Sequence, residues 1–205
     1  MAPSPMLTSS LPANPVSSEA LPLTSRHFSS RATLPLTCDR LWQIQTGTIR
    51  TLICLEDGTV ITTGIWSSGD LVGQLMPSSN YFAIECLTAV EVVSIPLAPH
   101  DPLYTQALVA HLQQAEELMV IRSHKKIDVM LLQLLSWLAQ RFGRSVEQGQ
   151  LIDLRLTHQD LSELLGSTRV TVTRTLSQLE QQKLIHRLSL RRIVLSETDV
   201  WHYEI

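Results

Sequence analysis

The sequence predicts an α+β protein in three parts: an N-terminal β-barrel, one long helix and a C-terminal winged helix-turn-helix. Three observations carry this. Between Leu34 and Pro96, apolar runs broken by Gly47, Asp57-Gly58, Gly64 and Gly69-Asp70 read as short strands and turns. After Pro96, Pro99 and Pro102, residues Leu108, Leu112, Ala115, Met119 and Arg122 recur at steps of four and three, a helical seam. From Thr157 on, two helix starts flank Gly166, and two short β segments, KLIHRL and RRIVLS, follow them.

Each element has a local cause. Asp57-Gly58 lies between LICLE and TVITTGIW and signals a hairpin. YFAIECLTAVEVVSIP supplies one or two further strands. IDVMLLQLLSWLAQRFG is apolar on most faces, which predicts a buried helix ended by Gly143. In LTHQDLSELLG, Thr157 and Asp160 mark a helix start, Leu161, Leu164 and Leu165 keep helical spacing, and Gly166 ends the run. In the next stretch, GSTRVTVTR, the β-branched run Val170–Thr173 favours a strand by propensity. Ser167 or Thr168 can cap a helix there, and Val172, Leu176 and Leu179 recur at four and three, so the spacing predicts a second helix.

The chain of 205 residues, 44% hydrophobic, has room for one or two domains. A net charge of -3 does not advertise a nucleic-acid partner, but a local patch can hide in that sum. No apolar run is long enough for a bilayer, and no basic segment precedes an apolar one at the N-terminus. Cys38, Cys54 and Cys86 are scattered and lack CxxC spacing, so a reducing, cytoplasmic compartment is expected. Residues 1–25 carry five prolines and one charge, which predicts a disordered tail. The parts are therefore a tail over 1–25, a barrel over 26–100, the long helix over 101–124 and the winged helix-turn-helix over 125–205.

This order of parts resembles the CRP/FNR family of bacterial transcription regulators, from about Leu34 onward. The resemblance is strongest in LTHQDLSELLGSTRVTVTRTLSQLEQQKLI, whose GSTRVTVTR core looks like that of the cyanobacterial nitrogen-control regulator. It implies a cyclic-nucleotide-binding-type barrel that senses an effector. It also implies a homodimer paired through Leu108, Leu112, Ala115 and Met119, and a recognition helix in the major groove of a palindromic duplex. The residues support the last point independently. Arg169 and Arg174 sit at the reading end of that helix, and an arginine fork suits the O6 and N7 edge of guanine. Val170 and Thr173 can offer methyl groups to thymine. The family's cyclic-AMP branch has a glutamate where this chain has Val170, and the nitrogen-control branch reads a GTA…TAC palindrome. Ser167 and Thr168, at the helix start, suit a phosphate, as do Arg191 and Arg192 near the wing tip. From Gly166 to Arg192 the basic residues Arg169, Arg174, Lys183, Arg187, Arg191 and Arg192 face Glu180 alone.

The cyclic-AMP branch holds its nucleotide with a Gly-Glu turn and a later Arg-Ser pair. Here GDLVGQLMPSSNYFAIE has Gln74 at the glutamate position and no arginine after it. A phosphate left without a partner is costly to bury, so cyclic AMP in its usual pose is not expected. Three scattered cysteines cannot hold the family's iron–sulfur cluster, and no metal site is expected. The barrel's full-time cations are Arg26, Arg31, Arg40 and Arg50. Together with Trp42 they suit an anion, and cyclic di-GMP and 2-oxoglutarate are the candidate effectors. No GxSxG, HExxH or P-loop is present, and no enzyme is expected. The competing reading is a cyclic dinucleotide receptor that acts by binding another regulator protein.

Overall fold

The computed structural model describes residues 25–36, 39–76, 81–96 and 101–196. Most of the expected tail, Cys38 and Pro99 lie outside these residues. Among the described residues, seven strands form the N-terminal part: β1 (Ser25–Phe28), β2 (Arg40–Thr46), β3 (Ile49–Cys54), β4 (Val60–Trp66), β5 (Leu71–Val72), β6 (Tyr81–Cys86) and β7 (Val90–Pro96). They make two antiparallel sheets, ordered β1-β7-β2-β5 and β4-β3-β6. The strands begin earlier than Leu34, because β1 pairs with β7 from Ser25↔Val93 to Phe28↔Val90. Ser25 therefore belongs with Arg26 to a sheet edge, not to the tail.

The expected hairpin forms at Asp57-Gly58. Cys54 faces Val60, Gly58 takes a positive φ of 83°, and Asp57 accepts from the Thr59 N–H. Gly47 turns β2 into β3 with φ 89°, and a Cβ there would collide with the Ala89 carbonyl. Trp42 and Ile44 from one sheet, Ile49, Trp66 and Ile84 from the other, and Val72, Val90 and Val92 close a single core.

Helix α1 (Pro102–Ser123) starts on Asp101, whose carboxylate accepts from the Leu103 N–H, with Pro102 in the first turn. It lies on β4 and β5, burying Ala107, Gln114, Leu118 and Ile121. Gln114 clasps β4: its side chain accepts from the Ile65 N–H at 2.8 Å and donates to the Ile65 carbonyl at 3.0 Å. Beside it the Trp66 indole stacks on His111, ring centroids 4.1 Å apart. Burial pushes the His111 imidazole down to about 4, so it is neutral at neutral pH.

The outward face of α1 is not the narrow seam that the spacing suggested. Leu112 and Met119 are exposed as expected, but Leu108 packs partly on the cluster of Leu41, Leu71 and Leu75, and Ala115 is half-buried. Val109 and Val120 are exposed beside Leu112 and Met119 and widen the apolar face. Arg122 leaves the face altogether, because its guanidinium finds carbonyls on the inner side.

The C-terminal part holds α2 (Ile127–Phe142), β8 (Gly143–Val146), β9 (Gly149–Ile152), α3 (His158–Leu165), α4 (Arg169–Gln181), β10 (Ile185–Arg187) and β11 (Ile193–Leu195). Its sheet runs β10-β11-β9-β8. Helix α2 buries seven residues from Leu131 to Ala139, as its apolar faces require. The core around it also takes in Leu118 and Ile121 of α1, Ile65 of β4 and Leu87 of the turn after β6. Both halves thus share apolar packing. Among the described residues, no helix is long and apolar enough to cross a membrane.

Candidate nucleic-acid interface

Helix α3 opens with a full capping box. Thr157 Oγ1 accepts from the Asp160 N–H, and Asp160 accepts in return from the Thr157 N–H. Gly166 closes it in the left-handed region at φ 65°, with its N–H on the Ser162 carbonyl. Thr168 then caps α4, accepting from the Thr171 N–H. The β-branched run stays helical because its hydroxyls bond within the helix. Thr173 donates to the Arg169 carbonyl and Thr175 to the Thr171 carbonyl. Val172, Thr175, Leu176 and Leu179 face inward.

The opposite face of α4 presents Arg169, Val170 and Arg174 to solvent, with Val170 60% exposed. Ser167 is half-buried and Thr168 is occupied by its capping bond. The wing turn, Ser189–Arg191, puts Leu190 and Arg191 at positive φ. Arg191 points outward, whereas the Arg192 Nε is buried and has no partner among the described residues. Two further residues belong to this face: Arg187, read in the sequence only as part of the basic run, and His158, which was not singled out. Arg187 is tied to the Glu180 carboxylate through two of its nitrogens. His158, in the first turn of α3, meets Thr173 Oγ1 through Nδ1 at 2.8 Å. Its position next to the cap residue Thr157 was the available signal.

The candidate effector arginines separate into two pairs, and one pair is already engaged. Arg31 forks onto Asp160 of α3 with bonds of 2.8 and 2.7 Å and reaches Glu85 at 3.0 Å. Arg50, only 7% exposed, bonds Glu85 at 2.7 Å and Glu163 of α3 at 2.5 Å, with Asp160 3.4 Å away. Arg122 adds a strut, donating to the Thr62 carbonyl of β4 and the Leu164 carbonyl of α3. Arg31 and Arg50 therefore serve as a latch between the β-sheets and α3, bonded to Glu85, Asp160 and Glu163. Carboxylates of the same chain satisfy them. Arg26 and Arg40 differ. Arg26 lies over the Trp42 ring at 5.6 Å, and Arg40 bonds Ser94 Oγ at 3.2 Å. Trp42 itself is 4% exposed, so its face is covered by Arg26 and Phe28. Gln74 is half-buried, and residues 77–80 of the cradle run lie outside the described residues.

The latch sets the charge state of Asp160. Burial works against its carboxylate, but hydrogen bonds from Arg31 and Thr157 outweigh that and hold its pKa below the ordinary value.

Residues 130–199 match the model of the Crp-like helix-turn-helix domain. The regulatory protein CysR of Synechococcus elongatus is 38% identical over 186 residues, which cover 88% of this chain and 88% of that one. The chain belongs to the CRP/FNR family of transcription regulators. It is a DNA-binding regulator of that family, and its relatives are regulators, not enzymes. The global nitrogen regulator of the same organism is 28% identical, covering 80% of this chain and 82% of that one. The fold agrees with a CRP-family transcriptional regulator from Thermus thermophilus (TM-score 0.71, 20% identity, 84% and 92% of the two chains). It agrees equally with the c-di-GMP responsive regulator CLP of Xanthomonas campestris (TM-score 0.70, 21% identity, 86% and 95%).

Removing Arg50 leaves the half-buried Glu85 and Glu163 with one cation fewer. Arg50→Leu should lower the unfolding free energy by roughly 3–5 kcal/mol in urea titrations, the cost of breaking a buried pair from one side. Arg50→Leu with Glu163→Leu should cost less than the sum of the two. The depressed pKa of Asp160 gives the pH sign. Its stabilisation is complete above the unfolded value of about 3.9 and is lost as pH falls through the lower folded value.

Proposed function

We propose that this family member acts as a homodimer that reads a palindromic DNA site with the N-terminal half of α4. The observation that carries this is the sidedness of α4. Val172, Leu176 and Leu179 anchor one face, while Arg169, Val170 and Arg174 stand free on the other. Ser167, Thr168 and Arg191 lie beside that face and suit the phosphate backbone. Arg192 is less available, because its Nε is buried. The open reading face favours DNA over the competing reading of a receptor that works only through another regulator. Arg169→Ala and Arg174→Ala should each weaken binding to a GTA…TAC-type duplex by about 1–3 kcal/mol. Arg191→Ala should weaken every duplex about equally. Anisotropy titrations that show no change for Arg169→Ala on any site would remove α4 from its reading role.

The dimer contact, on this reading, is the widened apolar face of α1. Leu112 and Met119 are 54% and 62% exposed, flanked by Val109 and Val120. Such a face covers itself best against its own copy across a two-fold axis. Leu112→Glu places two carboxylates at the centre of that contact and should yield monomers in light scattering. A monomeric unmutated protein at the same concentration would contradict the pairing.

The effector proposal follows from the charges left over. Arg26 and Arg40 flank Trp42 on the β1-β7-β2 sheet and remain for an anion such as cyclic di-GMP or 2-oxoglutarate. Titration calorimetry should show no cyclic-AMP binding. Any cyclic di-GMP signal should fall at least tenfold, about 1.4 kcal/mol, in Arg26→Ala or Arg40→Ala. Tight binding of cyclic AMP would overturn the argument from Gln74.

A further inference from the structure

His158 joins α3 to the helix that presents the reading face. It sits in the first turn of α3, half-buried, and joins the two helices of the motif through Thr173. The hydrogen bonds around the ring suit one tautomer. Thr173 Oγ1 spends its only proton on the Arg169 carbonyl. It can therefore only accept from His158, which places the ring proton on Nδ1. Nε2 is left as a bare acceptor, with no hydrogen bond among the described residues.

The surroundings of this ring are cationic. Arg169 acts on it from α4, Arg187 from β10 and Arg191 from the wing turn. The carboxylate of this group, Glu180, is tied to Arg187, and Asp160 of the same helix turns to Arg31 on the opposite side. Burial and then these three arginines hold the imidazole pKa below its ordinary value, so the free protein carries it neutral near neutral pH. A neutral ring offers a lone pair at Nε2, which repels a phosphate oxygen. A protonated ring offers an N–H there and keeps its Nδ1 bond to Thr173.

We propose that His158 is a proton-coupled phosphate contact: it takes up one proton per protomer when the duplex docks and donates from Nε2 to a backbone phosphate between α4 and the wing. This rests on the DNA reading of α4 given above. A phosphate raises the pKa of the ring in the complex above that in the free protein. The contribution to affinity is then complete below the free-protein pKa. It declines as pH rises through the window between the two values, by up to about tenfold per pH unit for each proton taken up.

The test is calorimetric titration of a palindromic duplex at pH 6 to 8 in buffers of different ionisation enthalpy, which counts protons directly. His158→Asn keeps a donor for Thr173 but cannot be protonated there, and His158→Arg is charged at every pH. The unmutated protein should take up one more proton per protomer than His158→Asn and bind more weakly as pH rises. His158→Arg should bind with little pH dependence from this position. Equal proton uptake by the unmutated protein and His158→Asn, with DNA binding intact in both, would overturn the proposal while leaving the reading of α4 in place. Failure of the unmutated protein to bind any duplex at pH 6 would overturn the DNA reading itself, and this proposal with it.

Discussion

Arg50 leaves β3 for a space that water barely enters, and there it meets carboxylates of both halves of the chain. A guanidinium cannot lose its proton to escape such a site. Its burial is tolerable only while Glu85, Glu163 and, further off, Asp160 stay in place. Arg31 stands in the same cluster in the left-handed region at φ 69°, a conformation that a side chain adopts only when its surroundings insist. These contacts hold α3 against the β-sheets, and α3 carries α4. The apolar core works in the same direction, since Ile65 and Leu87 pack into the C-terminal cluster. The orientation of the reading face is therefore a property of the whole chain.

This arrangement assigns distinct work to the arginines. Those before residue 101 divide between the latch and the Trp42 sheet, and those after Gly166 divide between solvent and Glu180, apart from the half-buried Arg192. Among the exposed ones, Arg169 and Arg174 lie on α4 and Arg191 on the wing, with His158 between these elements. The latch does not cover α4. It grips α3 through Asp160 and Glu163 and leaves Arg169, Val170 and Arg174 open. Among the described residues, the latch and the Arg122 strut are polar contacts that touch the two halves at once.

What was legible in the sequence was local. The capping box of Thr157 and Asp160, the Gly166 stop and the Asp57-Gly58 hairpin depend on neighbours a few residues away, and each appears where its pattern sits. The inward turn of Val172, Leu176 and Leu179 followed from spacing alone. The hairpin of β8 and β9 was missed because GRSVEQGQLI is polar for most of its length and earns its strand pairing from β11, more than forty residues on. The seam on α1 was read too narrowly, because a step of three and four cannot say which flank meets a sheet. The latch was invisible for a similar reason. Arginine content announces charge, but the pairing of Arg31 with Asp160 spans 129 residues, and nothing local to either end records it.

The central claim is that the ion cluster and the shared core make the sheets and the helix-turn-helix one cooperative unit. Scanning calorimetry of the unmutated protein and of Asp160→Asn combined with Glu163→Gln tests it most directly. The account predicts a single heat-absorption peak for the unmutated protein. It predicts two resolved peaks, or one broadened peak with reduced cooperativity, for the double variant. Two independent peaks in the unmutated protein, or a double variant that melts as a single sharp unit at the same temperature, would contradict it.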